Sequence, residues 1–179
     1  MKRTVCVFAG ARGPSELHET IKEVGTELAS QGCEVLYGGS AKGIMGALAR
    51  GVAEAGSKAI GVLPERIAAL KHHSDLTETV VVKDMPSRKE IFWQSDAYLC
   101  LPGGLGTMDE LFEIWALTKL GYSHSSKPIV VLNLDGYYDY LIHFLERMVT
   151  DGYLTRERRD MVKFVTDPIE AVSLVAGGA

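Results

Sequence analysis

A doubly wound parallel α/β sheet is the fold class this sequence predicts, and three observations point to it. Short runs rich in β-branched residues alternate with longer amphipathic runs almost from end to end, which is the pattern of βαβ units with right-handed crossovers. The first short run, Thr4 to Ala9 (TVCVFA), is nearly all apolar, as a strand covered by helices on both faces should be. Glycine is in excess, 19 of 179 residues against a usual ~7%, and it gathers where apolar runs end, so strands should feed tight backbone turns.

Each element follows in chain order. After Thr4 to Ala9, residues Ser15 to Gln31 carry Leu17, Ile21, Val24 and Leu28 at spacings of three and four, a helix that Ser15 can cap and Gly32 can end. A strand at Glu34 to Tyr37, a helix over about Ile44 to Ala55 and a strand at Ala59 to Leu63, stopped by Pro64, come next. Residues Glu65 to Leu76 are polar and irregular. A strand at Thr79 to Val82, a helix over Ser87 to Gln94, a strand at Ala97 to Leu101 and a helix from Met108 to Leu120 continue the alternation. Pro128 to Asn133 reads as a strand, Tyr138 to Thr150 as a helix, and a short strand near Phe164 precedes a last helix. The whole is one Rossmann-like domain, and three of its strand ends run into glycine turns, at 10–13, 38–43 and 102–107. In such sheets ligands bind beyond the carboxyl ends of the strands, so all three turns should open on one edge.

Composition narrows the function classes. A hydrophobic share of 46% and a charged share of 23% are globular values that exclude disorder, coiled coil and collagen-like repeats. The net charge of −4 provides no global basic field for a nucleic acid duplex, and a small anionic ligand is compatible with it. Cys6, Cys33 and Cys100 sit in apolar contexts without metal-ligand spacing, so they read as reduced core residues, and neither a disulfide framework nor a metal is expected. Met1-Lys2-Arg3 before an apolar run mimics a signal peptide, but the run ends at Arg12 and a first strand is the better reading. No apolar run reaches the ~18 residues of a membrane span. A cytoplasmic protein is expected.

A glycine turn that opens a helix offers free N–H groups and the positive end of the helix dipole, which suit a phosphate. Two dense turns favour an anion site over mere tight connections. Known fingerprints do not match: Gly43 is followed by Ile44-Met45 where a Walker A loop has Lys-Ser/Thr, neither turn reads GxGxxG, and Lys42 stands where a nucleophile elbow around Ser40 needs Gly. Thr107-Met108-Asp109-Glu110 reads as a capping box, with Thr107 at the N-cap and Glu110 at the third helical position. Against that structural reading, a carboxylate beside a phosphate turn is placed to face a reacting sugar carbon. Arg88-Lys89 falls at a predicted helix start, where the dipole disfavours cations; a solvated face with Lys89 and Glu90 competes with an anion-binding role, for which Arg is well shaped. Met108, Leu111, Phe112, Trp115 and Leu120 follow helical spacing and read as core or subunit packing. His72-His73, His18, His124 and His143 have no partners in a metal spacing.

From Pro102 to Glu110 the sequence resembles the PGGxGTxxE signature of the LOG (Lonely Guy) family, phosphoribohydrolases of cytokinin riboside 5′-monophosphates. The resemblance covers nearly the whole chain: Tyr37 to Gly46 resembles the family's YGGGxxGLMG turn, Met85 to Lys89 its MxxRK element, and Asp151 to Leu154 its late turn before the final helix. It implies Arg88 and Glu110 as the catalytic pair. It implies Met85, Lys89, Gly103, Gly104, Gly106 and Thr107, with Gly38, Gly39, Ser40 and Gly43, as substrate-binding residues. The implied reaction cleaves the N-glycosidic bond of an adenine-type nucleoside 5′-monophosphate to free base and ribose 5-phosphate, with no metal or organic cofactor. Ser40 replaces the third glycine of the family's second turn, and Ala11-Arg12 replace a serine-rich first turn. A lysine decarboxylase label carried by some members is rejected, because no lysine here sits in a credible pyridoxal phosphate setting.

Three functions from different classes are therefore open. The leading one is the hydrolase. The second is a non-catalytic carrier or sensor of a nucleotide or of molybdenum cofactor on the same fold, and the third a ribosyl transferase with an acceptor other than water. A homodimer is expected, from the aromatic content of the helices holding Phe92, Trp93, Phe112 and Trp115 and from the dimers that the family forms.

Overall fold

The computed structural model describes residues 2–70, 78–120 and 127–177, with the side chains of 119 and 120 left out. Seven parallel strands form one sheet: β1 (Thr4–Phe8), β2 (Glu34–Tyr37), β3 (Ala59–Pro64), β4 (Glu78–Val82), β5 (Ala97–Cys100), β6 (Ile129–Leu132) and β7 (Val162–Val165). Their order is β4-β3-β2-β1-β5-β6-β7. The chain winds outward from β1 to β4, then crosses back to lay β5 along the other side of β1, so β1 and β5 flank the point where the order reverses. Crevices at such switch points are where open α/β sheets take their ligands.

Among the described residues eight α-helices cover the sheet: α1 (His18–Ser30), α2 (Gly43–Glu54), α3 (Glu65–Ala68), α4 (Met85–Trp93), α5 (Leu105–Leu120), α6 (Asp139–Thr150), α7 (Arg156–Arg159) and α8 (Pro168–Ala176). Alternate residues of a strand point to opposite faces, and β1 divides accordingly. Val5, Val7 and Ala9 pack with Ile21, Leu28, Leu48 and Val172 beneath α1, α2 and α8. Cys6 and Phe8 pack with Phe92, Leu111, Ile114 and Leu145 beneath α4, α5 and α6. Strands β1, β5 and β6 are almost wholly buried, which is why they read as continuous apolar runs. On the first face α1 and α2 cross closely because Gly25 and Gly51 carry no side chain: a Cβ on Gly51 would lie 2.0 Å from the Lys22 carbonyl oxygen.

Several expectations need correction. Ser15 does not cap α1; residues Ser15–Leu17 form a 3-10 turn ahead of it, and no side chain caps either segment. Helix α4 starts at Met85, two residues before the expected Ser87, because Asp84 caps it, its carboxylate accepting from Ser87 N–H at 3.0 Å, with Pro86 in the first turn. Arg88 and Lys89 thus lie a turn inside the helix rather than at its start. Helix α5 starts at Leu105, and Met108 N–H donates to the Gly104 carbonyl at 3.1 Å. Thr107 is inside the first turn and the capping box does not form. Glu65–Ala68 is a turn of helix within the stretch expected to be irregular. His72, His73 and His124 lie outside the described residues. Cys6, Cys33 and Cys100 are buried and free, as expected.

Candidate functional site

Strand β1 ends at Phe8 and β5 at Cys100, and the chain that follows each strand forms the floor of a cleft of about 570 Å³. Its walls come from residues 9–14, from Leu17, Ile44 and Met45, from Pro102, Gly103, Gly104, Gly106 and Thr107, and from Arg88, Glu110 and Tyr137. Hydrogen bonds lock the turns together: Gly10 N–H donates to the Pro102 carbonyl at 3.2 Å, and Met45 N–H to the Gly10 carbonyl at 3.1 Å. The contact is close because Gly10 lacks a Cβ, which would stand 3.2 Å from the Gly103 Cα.

Arg88 and Glu110 meet in this cleft. The guanidinium Nη2 lies 3.1 Å from Glu110 Oε1, and the side chains are only 10% and 11% exposed. Arg88 also lies 4.9 Å from the centroid of the Phe92 ring, and its Nη1 approaches Met85 Sδ at 3.8 Å. Its Nε is buried without a hydrogen-bond partner among the described residues. Burial pushes the Glu110 carboxyl up to about 7, against the opposing pull of Arg88; Asp109 adds to the rise and Lys89 opposes it. A carboxyl that titrates near neutrality in a cleft is equipped for acid–base or charge-stabilising chemistry.

The other expected residues divide into two groups. Gly103, Gly104, Gly106 and Thr107 line the cleft. Thr107 is 3% exposed and sits so close over Gly103 that a Cβ there would collide with it, 2.1 Å from Oγ1. As residues of the first turn of α5, Leu105, Gly106 and Thr107 have amides with no acceptor inside the helix, the arrangement that receives anions. Gly38, Gly39, Ser40, Gly43, Met85 and Lys89 do not line it. Gly38 leaves room for Arg88, whose Nη2 would lie 2.8 Å from a Cβ there. Gly43, at φ +59, lets the second turn press on the first, a Cβ meeting the Ala11 carbonyl carbon at 2.5 Å. Ser40 Oγ accepts from Lys42 N–H at 3.1 Å within its own turn. Gly38 and Gly43 of the second glycine turn thus make room for Arg88 and for the first turn, which line the cleft.

Lys89 pairs across to α5, with Asp109 at 2.9 Å and Glu113 at 3.1 Å. Burial works to lower its pKa, yet the hydrogen bonds that Lys89 donates to Asp109 and Glu113 prevail and hold it above the usual lysine value. A lysine that forms a Schiff base needs the opposite, a depressed pKa, and no described lysine lines the cleft. The site does not favour pyridoxal phosphate chemistry.

Among the polar side chains of the cleft, Arg12 and Tyr137 were not among the expected catalytic or substrate-binding residues. Arg12 stands exposed at the rim in the first turn. Tyr137 comes from the loop after β6, and its hydroxyl donates to the Gly103 carbonyl at 2.6 Å. The sequence signal for Tyr137 is slight, an Asp135-Gly136 turn that follows a buried strand and aims the next side chain back over the sheet edge.

Fold and site together define an all-parallel α/β protein whose charged pair stands in the switch-point crevice. Residues 45–175 match a protein family described as "possible lysine decarboxylase". A rice (Oryza sativa subsp. japonica) protein named as a probable cytokinin riboside 5′-monophosphate phosphoribohydrolase is 35% identical over 174 residues, 95% of this chain and 70% of that one. An Arabidopsis thaliana cytokinin riboside 5′-monophosphate phosphoribohydrolase is 35% identical over 170 residues, 93% of this chain and 73% of that one. Among solved structures, the molybdenum cofactor carrier protein of Chlamydomonas reinhardtii superposes with a TM-score of 0.72 at 22% identity, over 99% of this chain and 98% of that one, a likeness of fold. The chain belongs to the LOG (Lonely Guy) family.

Proposed function

We propose that this protein is a hydrolase that cleaves the N-glycosidic bond of a cytokinin-type adenosine 5′-monophosphate, releasing the free base and ribose 5-phosphate. The observation that carries the reading is the Arg88–Glu110 pair, 3.1 Å apart and nearly buried, in the same cleft as the Gly103–Thr107 turn. Relatives about 35% identical named for this reaction support it.

Cleavage of a glycosidic bond passes through an oxocarbenium-like state with positive charge on the sugar. The Glu110 carboxylate stabilises that charge and directs a water to C1′, taking its proton as the C1′–O bond forms. The C1′–N bond breaks with its electron pair on the base, which takes up a proton from solvent, and Glu110 returns the water's proton to solvent, so that one water is consumed in all. Arg88 lowers the cost of an ionised Glu110 in its buried position. The amides at the start of α5 and Thr107 hold the 5′-phosphate, so that binding energy remote from C1′ orients the sugar. Three buried, free cysteines suit a reducing cytoplasm, and no helix of the described residues is long and apolar enough to cross a membrane.

The reading is tested by incubating the protein with a panel of nucleoside 5′-monophosphates and the matching nucleosides, and following base and ribose 5-phosphate by chromatography. Release from adenine-type monophosphates and not from the nucleosides is expected. Binding of monophosphates without release from any would replace the hydrolase with a carrier. Sugar-phosphate product formed only when a second base or alcohol is added would make it a transferase.

A further inference from the structure

Four successive carbonyls of the turn between β5 and α5 are each held by a different donor. The Leu101 carbonyl accepts from the Tyr138 hydroxyl at 2.7 Å, and the Pro102 carbonyl from Gly10 N–H at 3.2 Å. The Gly103 carbonyl accepts from the Tyr137 hydroxyl at 2.6 Å, and the Gly104 carbonyl from Met108 N–H at 3.1 Å. In a trans peptide the C=O and the following N–H point in opposite directions, so fixing the carbonyls of Pro102, Gly103 and Gly104 fixes the N–H groups of Gly103, Gly104 and Leu105, while Pro102, after Leu101, has none.

The peptide between Gly103 and Gly104 is the weak link of the four. Both neighbours are glycine, so side-chain sterics do little to oppose its rotation, and the space beside Gly104 is open. Rotation would break the bond to Tyr137 and swing the Gly104 N–H with the Gly103 carbonyl, reversing the dipole of a peptide whose two residues line the cleft. Tyr137 alone among the described side chains hydrogen-bonds this carbonyl. Its ring stands edge-on to Tyr138 at 4.8 Å. The backbone ahead of it is also set: Asp135 and Gly136 adopt left-handed conformations, φ +50 and +72, and the Asn133 side chain ties down Tyr138 N–H at 2.6 Å.

We propose that Tyr137 is a positioning residue for the substrate's phosphate, its hydroxyl holding the Gly103–Gly104 peptide with the N–H toward the anion. The inference rests on the phosphate reading above. It assigns a role to the loop after β6 and names no direct contact between Tyr137 and the ligand.

The test is Tyr137→Phe, which keeps the half-exposed ring and its edge contact and removes only the donor. Calorimetry with ribose 5-phosphate, inorganic phosphate and unphosphorylated ribose reads binding without turnover. Loss of one hydrogen bond predicts weakening of binding of both phosphates by about three- to tenfold, with ribose binding unchanged. In turnover of a monophosphate, kcat/KM falls by the same factor, through a higher KM and, because the held phosphate orients the sugar, a lower kcat. Wild-type affinity for both phosphates in the variant, or equal weakening toward ribose and ribose 5-phosphate, overturns the proposal. If the wild type binds ribose 5-phosphate yet cleaves no monophosphate, the hydrolase reading fails and the comparison of affinities still decides the role of Tyr137.

Discussion

Glu110 is buried deeply enough to titrate near 7, and the proposed reaction needs its charged form. Two consequences follow at this residue. The acid limb of kcat/KM should lie near pH 7, activity rising as Glu110 ionises, in a profile measured from pH 5 to 9. Removing the Arg88 cation takes away the pull that lowers this pKa, so Arg88→Ala should move the Glu110 titration, followed by carbon-13 NMR of the carboxyl, to higher pH and leave little activity at pH 7. Stability carries the same signature. The folded carboxyl titrates above its usual 4.5, so its contribution is fully present below about pH 4.5 and lost as pH rises through about 7. The thermal midpoint of Glu110→Gln should therefore gain on that of the wild type between pH 4.5 and 8; a gap independent of pH would contradict the burial argument. Arg88 and Glu110 were legible because their motifs are long and dense in glycine and charge. Tyr137 was not, because its role depends on a hydrogen bond between residues 34 positions apart, and no local spacing encodes that.

Among the elements, α4 carries Arg88 into the cleft, and its start is fixed by Asp84, whose carboxylate accepts from both Ser87 N–H and Ser87 Oγ. Asp84→Ala should cost about 1 kcal/mol in urea unfolding and lower kcat by loosening the helix under Arg88. Unchanged stability would mean that packing of Phe92 alone fixes the helix. The apolar runs made most strands readable to within a residue or so, since a buried parallel strand has little freedom of composition. Helix starts were less readable. The Thr107-to-Glu110 spacing fits a capping box, yet α5 begins two residues before Thr107 because glycine offers no steric resistance to an earlier turn. The same glycines that suit an anion thus hid the boundary. Gly38 and Gly43 show the reverse effect: they belong to a motif that resembled a second ligand turn, and in the fold they make room for Arg88 and for the first turn.

For the whole molecule, β1 at the centre and β5 beside it bring turns more than 90 residues apart into one cleft. That convergence was legible from the alternation of elements, whereas the seven-strand order was not, since crossovers leave no local trace. The aromatic argument for a dimer changes with burial: Phe92 and Trp115 belong to the chain's own core, and Phe112 is exposed along with Leu105, Tyr140 and Phe144. We propose a homodimer that covers part of this apolar surface, so light scattering at micromolar concentration should give twice the chain mass of 19.5 kDa; a monomeric mass would remove it. The central claim is that the Glu110 carboxylate acts on the sugar. Turnover of a cleaved monophosphate by Glu110→Gln, measured beside its affinity for ribose 5-phosphate, tests that most directly. The account predicts a fall in kcat of at least about a hundredfold with binding largely kept, and full turnover by the variant would contradict it.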